Sequence, residues 1–271
     1  MRSRKGIVLA GGSGTRLSPL TTVVSKQLLP VFNKPMVYYP IHSLILAGIR
    51  DILLITRPID LPLFKRLLGD GNQWGVTIEY AEQPSPDGLA QALLIAETFL
   101  DGAPAALILG DNLFHGGGLK NLFIKADQRR QGATIFLYQV ANAKRYGVAE
   151  MSDDGRVIGI EEKPMSPRSS MAVTGLYFFD EHAPEMAKGL KPSLRGELEI
   201  TDLNNLYITS SRLHGEDLGN GTAWFDAGTF ESLIAAGNYF QSLEHRLGMP
   251  VGSPEQAAIE NGWLKDEAND W

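Results

Sequence analysis

A glycine-rich segment, Gly11-Gly-Ser-Gly-Thr-Arg16, directly follows the first apolar run of the chain at 6–10. Three glycines within four residues let the backbone approach a ligand closely, and their N–H groups would form a cradle for an anion. Thr15 adds a hydroxyl donor and Arg16 a forked cation. A tight turn between a strand and a helix is the other interpretation. The segment is not a Walker A loop, because no Lys-Ser/Thr follows at the required spacing, and Leu17 breaks the dinucleotide-binding pattern.

Lys26 supplies a second cation ten residues after Arg16, within Ser25-Lys-Gln-Leu-Leu-Pro30. A lysine taken alone is usually a solvated surface residue. This one lies between the glycine-rich segment and Pro30, in a stretch that is too polar for a core and too short for a separate element. We expect it to fold back onto the glycine-rich segment, where its ammonium would meet a triphosphate.

Two aspartates stand where carboxylates could hold a metal ion. Asp111 comes just after the apolar run 105–109, and Asp226 lies between Phe225 and Ala227. Open α/β sheets bind ligands at the carboxyl ends of their strands, and Mg²⁺ prefers a few hard oxygen ligands together with several waters. Either aspartate could instead begin a loop or cap a helix, and the spacing of 115 residues does not decide between these interpretations.

Short apolar runs alternate with longer helical patterns in the first half of the chain. The sequence predicts strands at 6–10, 51–55, 76–80, 105–109 and 134–140, with helices at 35–48 and 88–100. The second half is richer in strands, predicted at 148–151, 157–161 and 173–179 with a turn at 153–155, followed by helices at 200–210 and 230–247. This order predicts a Rossmann-like α/β fold, with a mainly parallel mixed sheet, helices on both faces and an inserted antiparallel part.

Composition narrows the class of protein. The chain has 271 residues, of which 44% are hydrophobic and 21% are charged, and we expect a single domain over 1–271. It contains no cysteine, which excludes disulfides, Cys-ligated metals and a Cys nucleophile. The net charge of −6 argues against general nucleic-acid binding. No apolar run is long enough for a membrane span or a signal peptide, so we expect no membrane association. The five histidines lack partners at i+3 or i+4 and are expected to be structural or exposed.

Taken together, these segments resemble the signature of the sugar-1-phosphate nucleotidyltransferases. The form Ser25-Lys-Gln-Leu-Leu-Pro30 is similar to the glucose-1-phosphate thymidylyltransferase branch of that family. The resemblance runs from residue 4 to residue 260. Its further blocks are Gln83-Pro-Ser-Pro-Asp-Gly-Leu-Ala-Gln91, Leu109-Gly-Asp-Asn112, Arg145-Tyr-Gly-Val148, Glu161-Glu-Lys-Pro164, Val173-Thr-Gly-Leu-Tyr177, Arg195-Gly-Glu-Leu-Glu-Ile-Thr-Asp202 and Ala223-Trp-Phe-Asp-Ala-Gly-Thr229.

The resemblance implies roles for several residues of these blocks. Arg16, Lys26 and Lys163 would be catalytic, and Asp111 and Asp226 would hold Mg²⁺. The amide of Gln83 can both donate and accept, as a pyrimidine edge requires. The implied nucleotide-binding residues are Leu9, Gly11, Gly12, Ser13, Gly14, Thr15, Arg16, Gln27, Gln83, Pro86, Gly88 and Asp111. The implied sugar-phosphate-binding residues are Asn112, Tyr146, Gly147, Glu162, Lys163, Val173 and Trp224, and the antiparallel part would bind the sugar.

The implied reaction transfers a thymidylyl group from dTTP to α-D-glucose 1-phosphate and releases pyrophosphate. The partners are therefore the two substrates, in a cytoplasmic homo-oligomer that the resemblance implies to be a tetramer. Two alternatives stay open: a related enzyme that uses UTP or another sugar, and a non-catalytic regulatory member of the fold. The second would be expected to lack Lys26, Asp111 or Asp226, and all three are present.

Two features depart from the familiar members of this branch. Those enzymes continue into a further helical segment, whereas this sequence ends at Asp266-Glu-Ala-Asn-Asp-Trp271, and Asn220 stands where relatives often carry an arginine. An anionic effector at a subunit boundary is best held by the forked cation of arginine. We therefore expect weak or absent inhibition by downstream dTDP-sugars at a site separate from the catalytic one.

Overall fold

The computed structural model describes residues 2–265, so the terminal segment Asp266–Trp271 lies outside the described residues. Strands and helices alternate along the first half. The strands are β1 Lys5–Ala10, β2 Pro30–Val31, β3 Lys34–Pro35, β4 Asp51–Thr56, β5 Thr77–Glu82, β6 Ala105–Leu109, β7 Asn112–Gly116, β8 Ala133–Gln139, β9 Gly147–Met151, β10 Val157–Glu162, β11 Met171–Phe179, β12 Leu213–Asp217 and β13 Thr222–Asp226. The helices are α1 Tyr38–Leu46, α2 Leu61–Leu68, α3 Gln91–Ile95, α4 Glu97–Leu100, α5 Leu119–Gln128, α6 Ala183–Lys188, α7 Ile200–Thr209, α8 Phe230–Leu247 and α9 Pro254–Glu260.

The described chain divides into two compact units, each assembled from three stretches of sequence. The first unit comprises Gly6–Ser85, Ile108–His115 and 223–265. The second unit comprises 2–5, Pro86–Leu107 and Gly116–Thr222. A single domain over 1–271 stays a prediction.

Parallel strands form the sheet of the first unit. β4 pairs with β1 in the register Val8↔Leu54 and with β5 in the register Leu54↔Tyr80. β1 and β4 are buried from their second residue onward, as expected for parallel strands that are covered on both faces. The β2–β3 hairpin, α1 and α8 contribute to an apolar cluster in the same unit. Its buried members are Val31, Met36, Tyr39, Leu113, Ala227, Ala236, Phe240 and Val251.

Antiparallel pairs dominate the second unit. β9 pairs antiparallel with β10, β11 pairs antiparallel with β8, and β12 extends this part through a parallel pairing with β8. The predicted turn at 153–155 closes the β9–β10 hairpin, where Ser152 N–H donates to Arg156 O at 2.8 Å. The α/β class, with its mainly parallel sheet and antiparallel part, is therefore confirmed. No helix among residues 2–265 is long and apolar enough to cross a membrane.

Two predicted helices begin later than the sequence indicated. The first was expected at 35–48, but Pro35 pairs with Pro30 in the β2–β3 hairpin, so α1 starts at Tyr38. The second was expected at 88–100, but the backbone there bonds to Leu198 instead: Leu198 N–H donates to Asp87 O, and Ala90 N–H donates to Leu198 O. Helix therefore starts only at Gln91. The sequence pattern predicted neither the helices α2, α5, α6 and α9 nor the strands β2, β3, β7, β12 and β13.

Candidate active site

The glycine-rich segment follows β1 as a loop that is held by hydrogen bonds at Gly14 and has several residues exposed to solvent. Gly14 has φ 63°, in the left-handed region that favours glycine, and its carbonyl accepts from Leu17 N–H at 2.9 Å and from the Thr21 hydroxyl at 2.8 Å. Gly12, Ser13, Thr15 and Arg16 are exposed. The loop therefore offers main-chain and side-chain donors on a backbone that is already held in shape.

Gln83 packs directly against the first glycine of this loop. Its side chain is buried, and its backbone N–H donates to Thr56 O at 2.8 Å in continuation of the β5 ladder. A Cβ atom placed on Gly11 would lie 2.1 Å from Gln83 Oε1. A side chain at position 11 would therefore force the Gln83 amide to move, and this amide lies beside the loop.

Lys26 lies between the loop and Asp111. It begins a 3₁₀ turn, Lys26–Leu28, and its ammonium forms an ion pair with the Asp111 carboxylate. A Cβ atom on Gly12 would lie 3.9 Å from Lys26 Nζ. Burial raises the pKa of Asp111, but the Lys26 charge and the hydrogen bonds from Lys26 and Asn112 outweigh it, so this pKa lies below its ordinary value. Asp111 is therefore a buried carboxylate that stays ionised.

A chain of side-chain hydrogen bonds orients the groups next to Asp111. The indole N–H of Trp224 donates to Asn112 Oδ1 at 2.7 Å, and Asn112 Nδ2 donates to Asp111 Oδ1 at 3.2 Å. The main chain adds a link, since Ala227 N–H donates to Asp111 O at 3.0 Å. The segment that carries Asp226 is thereby attached to the segment that carries Asp111.

Arg16 and Asp226 crowd the same point. A Cβ atom on Gly228 would lie 2.8 Å from Arg16 Nη2 and 3.1 Å from Asp226 Oδ1. Glycine at 228 leaves room for both charged groups. The loop, its two cations and the two aspartates therefore lie in one unit, with Lys26 against Asp111 and Arg16 near Asp226.

Two further residues predicted to bind nucleotide, Leu9 and Gln27, are buried. Leu9 is buried in β1, and its carbonyl accepts from Gly110 N–H at 2.9 Å. Gln27 is 2% exposed, and its Oε1 accepts from the buried Ser25 hydroxyl at 2.6 Å. The segment around Lys26 is thus more buried than its polarity suggested, because Ser25 and Gln27 satisfy one another.

Glu162 and Lys163 end β10 in the second unit. Glu162 Oε2 accepts from the Thr201 hydroxyl at 2.8 Å, while Glu162 Oε1 lies 3.4 Å from Lys163 Nζ and 3.6 Å from Arg195 Nη2. Lys163 has φ 46°, a left-handed conformation that is rare outside glycine, and its N–H donates to Tyr146 O at 3.0 Å. The Glu162 carboxylate therefore accepts a hydrogen bond from one hydroxyl and lies near two cations, Lys163 and Arg195.

Three other residues predicted to bind the sugar phosphate, Tyr146, Gly147 and Val173, lie in the same unit as Glu162. A Cβ atom on Gly147 would lie 3.3 Å from Glu162 Oε2, Tyr146 is half-buried, and Val173 lies in β11 opposite Leu137. Burial raises the pKa of Tyr177, and the Glu162 charge raises it further.

Pro86 is exposed, whereas Gly88, at φ 109°, faces the Leu198 backbone so closely that a Cβ atom would lie 2.4 Å from Leu198 O.

The sequence profile of the family described as nucleotidyl transferase matches residues 5–242. The chain belongs to the nucleotidyl transferase family. It is 58% identical to the glucose-1-phosphate thymidylyltransferase of Xanthomonas campestris pv. campestris strain B100 over 98% of this chain and 90% of that one. It is 54% identical to the enzyme of the same name from Neisseria meningitidis over 97% of this chain and 91% of that one.

A solved structure from Bacillus anthracis, provisionally assigned as a glucose-1-phosphate thymidylyltransferase, has the same fold. It aligns with a TM-score of 0.81 and 40% sequence identity over 88% of this chain and 95% of that chain. The family resemblance found in the sequence is thus confirmed. These relatives are all named as glucose-1-phosphate thymidylyltransferases, the branch that the sequence resembles.

The predicted residues of this nucleotidyl transferase divide between the two units. The first unit contains the glycine-rich loop, both aspartates, and Leu9, Lys26, Gln27, Gln83, Asn112 and Trp224. The second unit contains Pro86, Gly88, Tyr146, Gly147, Glu162, Lys163 and Val173. Each set stays a prediction as regards its ligand.

Two residues beside Glu162 were given no role in the sequence analysis. Arg195 forms a bidentate pair with Glu199 and also faces Glu162, while Thr201 bonds Glu162 directly. Both stand in the block Arg195-Gly-Glu-Leu-Glu-Ile-Thr-Asp202, which supported the resemblance, but no spacing rule connects them to Glu162.

Asn220 is exposed in the turn between β12 and β13, and the expected weak effector inhibition stays a prediction.

Proposed function

We propose that this chain transfers a thymidylyl group from dTTP to α-D-glucose 1-phosphate, giving dTDP-glucose and pyrophosphate. The observation that carries the proposal is the identity of 58%, over almost the whole chain, with an enzyme named for this reaction. The ion pair of Lys26 with Asp111 beside an open glycine-rich loop supports it, because that arrangement suits a bound triphosphate.

The reaction needs no general base from the protein. The second pKa of a phosphate monoester is near ~6, so glucose 1-phosphate is largely dianionic at pH 7 and can attack the α-phosphorus itself. The protein then has to align the reacting groups and to offset charge. Lys163 would position the attacking phosphate, and Lys26, Arg16 and the loop N–H groups would stabilise the departing pyrophosphate.

We further propose that Asp111 and Asp226 hold Mg²⁺. Members of this family typically use a divalent metal ion. The donor set fits, because both groups are hard carboxylate ligands and Asp111 is kept ionised beside a cation. When bound, the metal ion would supply positive charge to the phosphates, while Lys26 and Arg16 hold the same negative charge from the protein side.

We propose that Gln83 reads the pyrimidine edge of the nucleotide; the family resemblance also implies a role for the N–H of Gly88 in nucleotide binding. Glu162 would accept hydrogen bonds from sugar hydroxyls. The resemblance implies that Asn112, Tyr146, Gly147, Val173 and Trp224 also bind the sugar phosphate. A homo-oligomer, a tetramer by family resemblance, and a cytoplasmic location complete the proposal; the absence of cysteine is compatible with that location.

The test is a pyrophosphate-release assay over dTTP, UTP, ATP, GTP and CTP, each with four hexose 1-phosphates. We expect dTTP with glucose 1-phosphate to give the highest kcat/KM. UTP should be accepted more weakly, because one methyl in an apolar pocket contributes about 1–3 kcal/mol. A purine nucleotide used as well as dTTP would refute the proposed base recognition, and absence of turnover with every pair would refute catalysis.

A further inference from the structure

The strand that carries Glu162 is bounded on its outer side by a helix. β10 stands at the end of its strand order and pairs only with β9 in the described chain, where Ile160 is opposite Ala149. An edge strand normally leaves outward N–H and C=O groups unpaired. Here Ile160 N–H donates to Asn205 Oδ1 at 3.3 Å, and Asn205 Nδ2 donates to Ile160 O at 3.1 Å. The amide of Asn205 on α7 thus takes the place of a neighbouring strand.

The same face of α7 also holds Glu162. Thr201 precedes Asn205 by four residues, which places both side chains on one side of the helix. Thr201 bonds the Glu162 carboxylate, and Asn205 bonds the backbone two residues before it. α7 is itself anchored, since its Leu203 and Tyr207 are fully buried and the Tyr207 hydroxyl donates to Asp180 Oδ1 at 2.7 Å. A fixed helix therefore sets the position of the last residues of β10.

The residues after Ile160 need such support. The β9–β10 ladder is irregular just before it, with a register shift between Val157 and Gly159. Just after it, Lys163 adopts the left-handed backbone conformation, which costs free energy and persists only where the surroundings impose it. Between Ile160 and Lys163, the β9–β10 ladder contributes only the pairs Glu161↔Val148 and Glu162↔Gly147, followed by the hydrogen bond from Lys163 N–H to Tyr146 O.

We propose that Asn205 is a positioning residue for the sugar phosphate. By fixing both backbone groups of Ile160, it holds β10 in the register that presents Glu162 and Lys163 to glucose 1-phosphate. This inference rests on the proposed function for its substrate. The anchoring of β10 by Asn205 is independent of that function.

The first experiment compares Asn205→Ala with Leu206→Ala, a matched truncation at the exposed neighbouring residue of α7. We expect Asn205→Ala to raise KM for glucose 1-phosphate about tenfold while KM for dTTP stays within twofold, since two hydrogen bonds are lost on the sugar side alone. Leu206→Ala should match the wild type. An unchanged KM for glucose 1-phosphate, or an equal rise in both KM values, would overturn the proposal.

Hydrogen exchange separates this inference from the proposed function. In Asn205→Ala, the peptide that covers 157–163 should exchange faster than in the wild type, while peptides from β1 and β4 should not change. This readout needs no substrate. If the wild type lacked thymidylyl transfer but this difference appeared, the function would fail and the anchoring would stand. Unchanged exchange would overturn the anchoring whatever the enzyme does.

Asn205→Asp tests the donated hydrogen bond on a side chain of nearly equal shape. Because the ordinary pKa of an aspartate is about 3.9, its carboxylate is ionised near neutral pH, where it can accept from Ile160 N–H but cannot donate to Ile160 O. KM for glucose 1-phosphate should therefore exceed that of the wild type, while KM for dTTP stays within twofold. A KM for glucose 1-phosphate equal to that of the wild type would show that the donated hydrogen bond is irrelevant and would overturn the proposal.

Discussion

The ammonium of Lys26 forms an ion pair with the carboxylate of Asp111, and both side chains are largely withdrawn from solvent, at 12% and 10% exposure. The two residues are separated by 85 positions in the sequence. A cation and an anion in this setting interact strongly because little water screens them. In the proposed reaction, Lys26 would contact the phosphates of the bound triphosphate and Asp111 would hold the metal ion.

Replacing Lys26 with alanine should lower kcat at saturating substrates by at least ~10²-fold, the usual scale for one electrostatic donor in a closed site. Stopped or coupled pyrophosphate assays measure this, with circular dichroism to establish that the variant is folded. Lys65→Ala removes an exposed lysine from α2 of the same unit and should leave kcat unchanged. A folded Lys26→Ala enzyme with wild-type kcat would remove Lys26 from the mechanism.

Asp226→Asn keeps the side-chain shape but removes one negative charge. The variant should remain folded and lose most Mg²⁺-dependent turnover, because an amide oxygen is a poorer ligand for a hard divalent cation. Activity is to be measured across a Mg²⁺ titration. Asp153→Asn, in the exposed turn between β9 and β10, is the matched control and should give the wild-type curve. The same curve from Asp226→Asn would mean that Asp226 is only a loop carboxylate.

Gly228→Ala tests the crowded point between Arg16 and Asp226. The new methyl group would lie 2.8 Å from Arg16 Nη2 and 3.1 Å from Asp226 Oδ1, so at least one of them must move. Because small misplacements of catalytic groups are costly, we expect kcat/KM for dTTP to fall by ~10-fold or more. Gly221→Ala adds a methyl group into open space and should have little effect. Equal activity in both variants would show that Arg16 and Asp226 can shift without consequence.

His42 should make stability depend on pH. Burial, together with the nearby His115 and Lys34 charges, lowers its pKa from 6.5 to about 4; its Nδ1 has no hydrogen-bond partner within residues 2–265. Between pH 6.5 and pH 4, His42 is therefore protonated in the unfolded chain but neutral in the folded protein. This contribution to stability is complete above pH 6.5 and is lost as the pH falls toward 4.

From pH 7 to pH 5, the wild type should lose about 2 kcal/mol of unfolding free energy through His42 alone. Denaturant titrations at several pH values measure this loss. In His42→Gln, which cannot titrate, the decrease should be smaller by about that amount. Parallel pH profiles for the two proteins would show that His42 is not the responsible group.

The sequence alone predicted most strands to within two residues, since buried parallel strands such as β1, β4 and β6 are continuous apolar runs with turn signals on each side. It also predicted α8 with its observed bounds, Phe230–Leu247, where Thr229 forms a capping box with Ser232. It failed at the start of α1, where a short hairpin takes up Pro35, and at the start of α3, where the backbone bonds to the distant Leu198. Such pairings leave no periodic pattern to detect.

The glycine-rich loop, its cations and the two aspartates were identifiable from residue type and order, because these determine which chemistry a segment can perform. Only the tertiary structure shows which of them come together: Lys26 pairs with Asp111, Arg16 approaches Asp226 at Gly228, and the Gln83 amide packs against Gly11. The hydrogen bonds of Asn205 to Ile160 and of Thr201 to Glu162 likewise join residues 45 and 39 positions apart. Hydrogen bonds and charge pairs act over a few ångströms, so they depend on how the chain brings distant segments together, which no local spacing records.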